Sequence, residues 1–214
     1  MLTRIAVLVS GGGTNLQALL DAQQTGRLPH GRVVLVVSSN PQAYALTRAK
    51  NCGVETAVVE KKKGESFEKG LLSLLEQRQI GLVVLAGFMT ILSPGFIARY
   101  PGRILNVHPS LIPSFCGKGF YGLKVHEAAL QYGVKVTGAT VHLVNEVPDG
   151  GKILLQKAVE VQPDDTPQTL QRRVMEQAEW VLLPQATEMM AAKLAKEQEN
   201  LSCVGEGEYH DANH

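Results

Sequence analysis

Asn106 and His108 stand two residues apart in ILNVHPSLIPSF (104–115), an apolar run that then breaks into prolines. At a spacing of two they share one face of a strand. Each must find a hydrogen-bond partner if it is buried there. An amide beside an imidazole makes a pair of donors suited to an oxygen that gains negative charge during acyl transfer. A core histidine that merely packs is the plainer alternative for His108, and the residues alone leave both open. Asp149, in NEVPDGG, is ambiguous in the same way. Asp-Gly is a common turn. If the turn folds back over the strand ends, however, the carboxylate reaches His108, favours its imidazolium form and raises its pKa.

SGGGTN (10–15) offers different chemistry. Glycines bring backbone N–H groups to a ligand with no Cβ in the way, and Thr14 and Asn15 open a helix whose N-terminus favours an anion. A phosphate at Gly13, Thr14 and Asn15 is one reading, and a mere tight turn is the other. No GK[ST] follows, so this is no Walker loop. The third glycine and the acidic ribose partner of a dinucleotide fingerprint are also missing. Ser110 is too near His108 for an easy triad, and there is no GxSxG elbow. Cys116 with His126 would be a thiol pair with nothing to prepare a thiolate. His108, His126, His142 and Asp149 lack metal-type spacing, so no metal is expected.

These residues must be carried by a scaffold, and the hydrophobic pattern supplies one. Unalternating apolar runs at 4–9, 32–39, 54–60, 80–88 and 103–108 interleave with helical spacing at 15–23, 42–53, 65–79 and 94–100. That pattern predicts a parallel sheet covered on both faces. A helix over 125–133 follows, then two alternating runs, 135–146 and 152–161, around VPDGG, which predict an antiparallel hairpin. A long helix over 166–200 closes the chain, capped by Asp165 or Thr166 and kinked or broken at Pro184. Ligands in such α/β sheets gather at the carboxyl ends of the strands. There SGGGTN, AGFMTIL (86–92) and NVHPSLIP meet.

The 214 residues are 44% hydrophobic, enough for one full core. One domain over 1–200 and a flexible tail over 201–214 are expected. The net charge of +1 shows no basic stripe, which argues against nucleic acid. The N-terminal apolar run is too short for a membrane span. Three cysteines, at 52, 116 and 203, form no disulfide framework and fit a reducing cytoplasm.

LAGFM, ILS, NVHPSLIPSF, VHLVNEVPDGG and SGGGTNLQAL, taken together and in order, resemble the glycinamide ribonucleotide formyltransferases, a folate-dependent formyltransferase family; the resemblance spans roughly residues 4 to 190. It implies an α/β, Rossmann-like formyltransferase fold: one mostly parallel mixed sheet with helices on both faces, plus a C-terminal antiparallel hairpin and long helix. It implies transfer of formyl from 10-formyltetrahydrofolate, as co-substrate, to the glycyl amine of glycinamide ribonucleotide in purine synthesis, with no metal. Asn106 and His108 would polarise the formyl oxygen, and Asp149 would hold His108 protonated. Gly13, Thr14, Asn15 and Glu179 would bind the phosphate and ribose. Met89, Thr90, Ile91 and Leu92, with Asn106, Asn145, Glu146, Val147, Pro148 and Asp149, would line the folate pocket. Partners would be small molecules, and the enzyme a cytoplasmic monomer or homodimer.

The chain departs from the family at several places. Thr90 replaces a common arginine, and Trp180 stands where histidine is usual. Lys61 to Lys63 are weak candidates for the folate tail. The 116–126 loop is long enough for a lid, with His126 either near the ligand or simply packed. Methionyl-tRNA formyltransferase and formyltetrahydrofolate hydrolase share the core motif. They usually carry further domains for which this chain shows no sequence. A non-catalytic phosphate-ligand module is the alternative of another class.

Overall fold

The computed structural model describes residues 2–60 and 67–205, the side chains of 201–205 excepted. Lys61 to Lys63 and residues 206–214 lie outside the described residues. Seven strands form one sheet in the order β3-β2-β1-β4-β5-β6-β7. They are β1 (Thr3–Val9), β2 (Gly31–Ser38), β3 (Glu55–Val58), β4 (Leu82–Leu85), β5 (Ile104–His108), β6 (Val136–Leu143) and β7 (Ile153–Glu160). The first five pair in parallel, and β6 and β7 add antiparallel.

The apolar runs are continuous because each central strand is covered twice. Ile5, Val7 and Val9 of β1 face one core, with Leu16, Leu19 and Leu20 of α1 (Thr14–Gln24), Ala45 and Leu46 of α2 (Tyr44–Asn51), and Leu183 of the last helix. Ala6 and Leu8 face the other, with Phe67, Leu71 and Leu75 of α3 (Phe67–Gln77) and Phe96 of α4 (Pro94–Ile97). Alternate side chains of one strand thus feed two layers. The strand order reverses between β1 and β4, which opens a crevice at their carboxyl ends.

Helix ends follow local chemistry. Ser93 caps α4 by accepting from Phe96 N, with Pro94 just inside the helix; proline loses nothing there, because that N–H would be unpaired anyway. α5 (Leu123–Tyr132) stops at Gly133, whose φ is 83°. Thr166, not Asp165, caps α6 (Pro167–Val174), in a capping box with Thr169. Asp165 instead forks onto Arg173 at 2.5 and 2.7 Å, which holds its carboxyl at about 2.

The expected single C-terminal helix is interrupted, but not where proline alone would place the break. A π-helical turn, Met175–Glu179, separates α6 from α7 (Trp180–Gly205), and Pro184 lies inside α7. Proline at 184 removes the bond to the carbonyl of residue 180 and crowds it. That carbonyl sits where the wide turn ends, so the irregular winding falls one turn before the ring. No helix among the described residues is long and apolar enough to cross a membrane.

Candidate active site

The crevice holds a cleft of about 610 Å³, lined by Asn15, residues 87–91, Asn106, His108, residues 117–122, His126, Asp149 and Glu179. A smaller cavity of about 140 Å³ adjoins it, lined by Thr90, Ile91, Leu92 and residues 145–149. Asn106 and Asp149 line both.

β5 presents Asn106 and His108 on one face, as their spacing predicts. The β6–β7 hairpin folds back and sets Asp149 against both. Asp149 Oδ1 accepts from Asn106 Nδ2 at 3.4 Å, and Oδ2 lies 3.5 Å from His108 Nδ1. The alternatives for Asp149 merge: its φ of 55° makes the turn, a conformation Asp tolerates, while its side chain, 14% exposed, points inward. Burial alone would push the carboxyl up. The adjacent His142 ring, the charge of His108 and the Gly117 N–H, 2.8 Å from Oδ2, outweigh it and hold the group below its usual value.

His108 is 4% exposed and its Nε2–H donates to the Phe115 carbonyl at 2.8 Å. That bond fixes which nitrogen is occupied, and Nδ1 is left facing Asp149. Phe115 adopts a left-handed φ of 49°, a strained backbone for a bulky residue. The long loop therefore grips both groups, through the Phe115 carbonyl and the Gly117 amide.

His142 belongs to this cluster, and sequence reasoning considered it only as a metal ligand. It pairs directly across the sheet with Asn106. Its Nδ1–H donates to the Leu143 carbonyl at 2.9 Å. Its Nε2 lies 3.1 Å from Asn106 Nδ2 and 3.6 Å from Asp149 Oδ1. The cross-strand register was the missing signal.

Glycine 13 begins α1 at φ 74°, and a Cβ there would fall 2.6 Å from that of Ala45. Glycine is thus demanded by both conformation and packing. The carbonyls of Gly11 and Gly12 are taken by Ala45 N and by Arg48 Nε at 2.8 Å. This leaves the first-turn amides of α1, which have no partner within the helix, as donors. Ser10 Oγ accepts from Met89 N at 3.0 Å, tying the end of β1 to the 86–92 segment.

At the far end of the cleft Asn15 Nδ2 donates to Glu179 Oε2 at 2.7 Å. The glutamate is 6% exposed, and burial pushes its pKa up to about 7 against the pull of that bond. Asn15 Oδ1 is buried with no partner. Of the expected phosphate and ribose set, Asn15 and Glu179 line the cleft, whereas Thr14 lines a neighbouring cavity.

Two alternatives gain nothing from the geometry. Burial and the nearby Asp149 charge push the Cys116 thiol up, the wrong direction for a nucleophile. Ser110 is fully buried and donates to the Ser114 carbonyl. His126 is fully buried, both ring nitrogens lack partners, and burial, then the His108 charge, lower its pKa to about 4.

The chain has counterparts among known proteins. The formyl transferase family matches residues 3–187. Phosphoribosylglycinamide formyltransferase of Haemophilus influenzae is 40% identical over 177 residues, covering 81% of each chain. The trifunctional purine biosynthetic protein adenosine-3 of Bos taurus is 41% identical over 92% of this chain. This chain spans only 19% of that relative's length. A crystal structure of glycinamide ribonucleotide transformylase 1 from Symbiobacterium toebii superimposes with a TM-score of 0.83 at 40% identity, over 90% of this chain and 89% of that one. The chain belongs to the formyl transferase family.

Proposed function

We propose that the chain transfers a formyl group from 10-formyltetrahydrofolate to the glycyl amine of glycinamide ribonucleotide, in purine biosynthesis in the cytoplasm. The observation that carries this reading is the meeting of Asn106, His108 and Asp149 at the border of two cavities. The smaller cavity, lined by apolar Leu85, Ile91, Leu92 and Val144 together with residues 145–149, suits a flat heterocycle. The long cleft suits the phosphoribosyl substrate. Its phosphate lies at the first-turn amides of α1, and its ribose hydroxyls reach Glu179.

The substrate amine attacks the formyl carbon, so no enzyme nucleophile is needed. The C=O electrons move onto oxygen, where the Asn106 amide and the His108 ring stabilise the negative charge. Asp149, held ionised, lies 3.5 Å from His108 Nδ1 and orients that ring. A proton then passes from the amine nitrogen to the folate N10, with Asp149 as relay, and the bond from carbon to N10 breaks.

The test mixes protein, glycinamide ribonucleotide and 10-formyltetrahydrofolate and follows the deformylated folate by absorbance. His108→Ala should lower kcat about 10²–10³-fold, the scale of losing one oxyanion donor. A folded protein without turnover rejects the assignment. Formate release without the amine would make the chain a hydrolase. Unchanged kcat with a lowered Tm would make His108 a packing residue.

A further inference from the structure

A third cavity, about 310 Å³, shares no lining residue with the cleft. One wall is a stripe of α1, Thr14, Gln17 and Asp21, and the others come from Arg27, Arg48 and Trp180. Two guanidinium groups face one carboxylate, so the lining is net positive.

The existing bonds leave most of this donor capacity unused. Arg27 gives only Nε to Thr25 Oγ1, at 3.0 Å, while Arg48 gives Nε and Nη1 to Gly12 O and Gln17 Oε1. Neither arginine has an ion-pair partner among the described residues. The Trp180 indole N–H is buried and also without a partner, and buried donors are ordinarily satisfied. An anionic, acceptor-rich ligand would take up the unused guanidinium donors, whose forks match phosphate oxygens. The indole adds a flat surface on which a ring can lie. The volume falls at the small end of ligand sites.

We propose that this cavity is a second small-molecule site that takes a nucleoside 5′-monophosphate. The phosphate lies between Arg27 and Arg48, the base lies against Trp180, and Asp21 accepts from a hydroxyl or exocyclic amine. The cavity borders the cleft through Thr14, which belongs to the expected phosphate set, and its ligand lies on the arginine side of that residue.

Trp180 is the only tryptophan in the chain, so its fluorescence reports directly. The full-length protein is titrated with adenosine 5′-monophosphate, and separately with adenosine and with inorganic phosphate. A saturable change with the monophosphate is expected, at least tenfold weaker with either fragment. Arg27 is exposed, so Arg27→Ala should fold normally, as its circular dichroism would show, and should weaken the monophosphate at least tenfold. No saturable change would overturn the site. So would a change that Arg27→Ala leaves intact, because the ligand would then sit elsewhere. A fragment binding as tightly as the whole would overturn the assigned class. None of these readings needs turnover, so they stand apart from the activity assay.

Discussion

Glu179 and His126 are buried ionisable residues whose effects on stability oppose each other. The folded protein holds the Glu179 proton up to about pH 7, whereas a glutamate carboxyl ordinarily gives it up near 4.5. Its contribution is therefore full below 4.5 and is lost as pH rises through 7. His126 is held neutral down to about 4, against an ordinary histidine value of 6.5, so its contribution is full above 6.5 and lost as pH falls. Urea unfolding from pH 5 to 7.5 should therefore show a shallow profile for the unmodified chain. Glu179→Gln should make stability rise with pH, and His126→Leu should make it fall, by about 1–3 kcal/mol across the range. Three parallel profiles would contradict both assignments. His126→Leu should also be neutral or stabilising near pH 5, since it removes two unpartnered buried nitrogens. Asn106, His108 and Asp149 are legible in the sequence because polar residues in an apolar strand and a carboxylate in a turn demand explanation. His142 is not legible, because a histidine in an alternating strand looks ordinary until pairing sets it opposite Asn106.

Strands and helices were mostly readable from hydrophobic period, with ends shifted by a few residues. The shifts are largest at β4, expected over 80–88 and found over Leu82–Leu85. There Gly87 and Phe88 leave the sheet to line the crevice, although the apolar run continues through them. Pro184 signals a disturbance in the helix, but no residue type marks the wide winding that falls one turn before it. Its effect is concrete: each residue turns an α-helix by about 100°. Deleting Ala178 should restore regular winding and swing α6 relative to Glu179. The deletion variant should keep its helical circular dichroism but lose the pairing of Asn15 with Glu179. Its substrate KM should rise at least tenfold, with kcat less affected. A wild-type KM would show that the wide turn does not position this carboxylate.

The two-sided covering of the sheet grades stability across the whole molecule. β1 and β4 lie at its centre, and Leu82, Val83 and Val84 are fully buried. β7 is an edge strand, and Ile153 is 38% exposed. Amides of β1 and β4 should exchange with solvent only through global unfolding, and those of β7 sooner, by local opening. Equal protection at centre and edge would contradict this gradient. The sheet also joins residues far apart in sequence: Asn15 meets Glu179 across 164 positions, and Asn106 meets Asp149 across 43. On a ribosome the glycine loop and the imidazole strand emerge well before the carboxylates that complete them. A nascent chain stopped short of the π-helical turn can build most of a sheet and still lack Glu179, the acid on which Asn15 closes one end of the cleft.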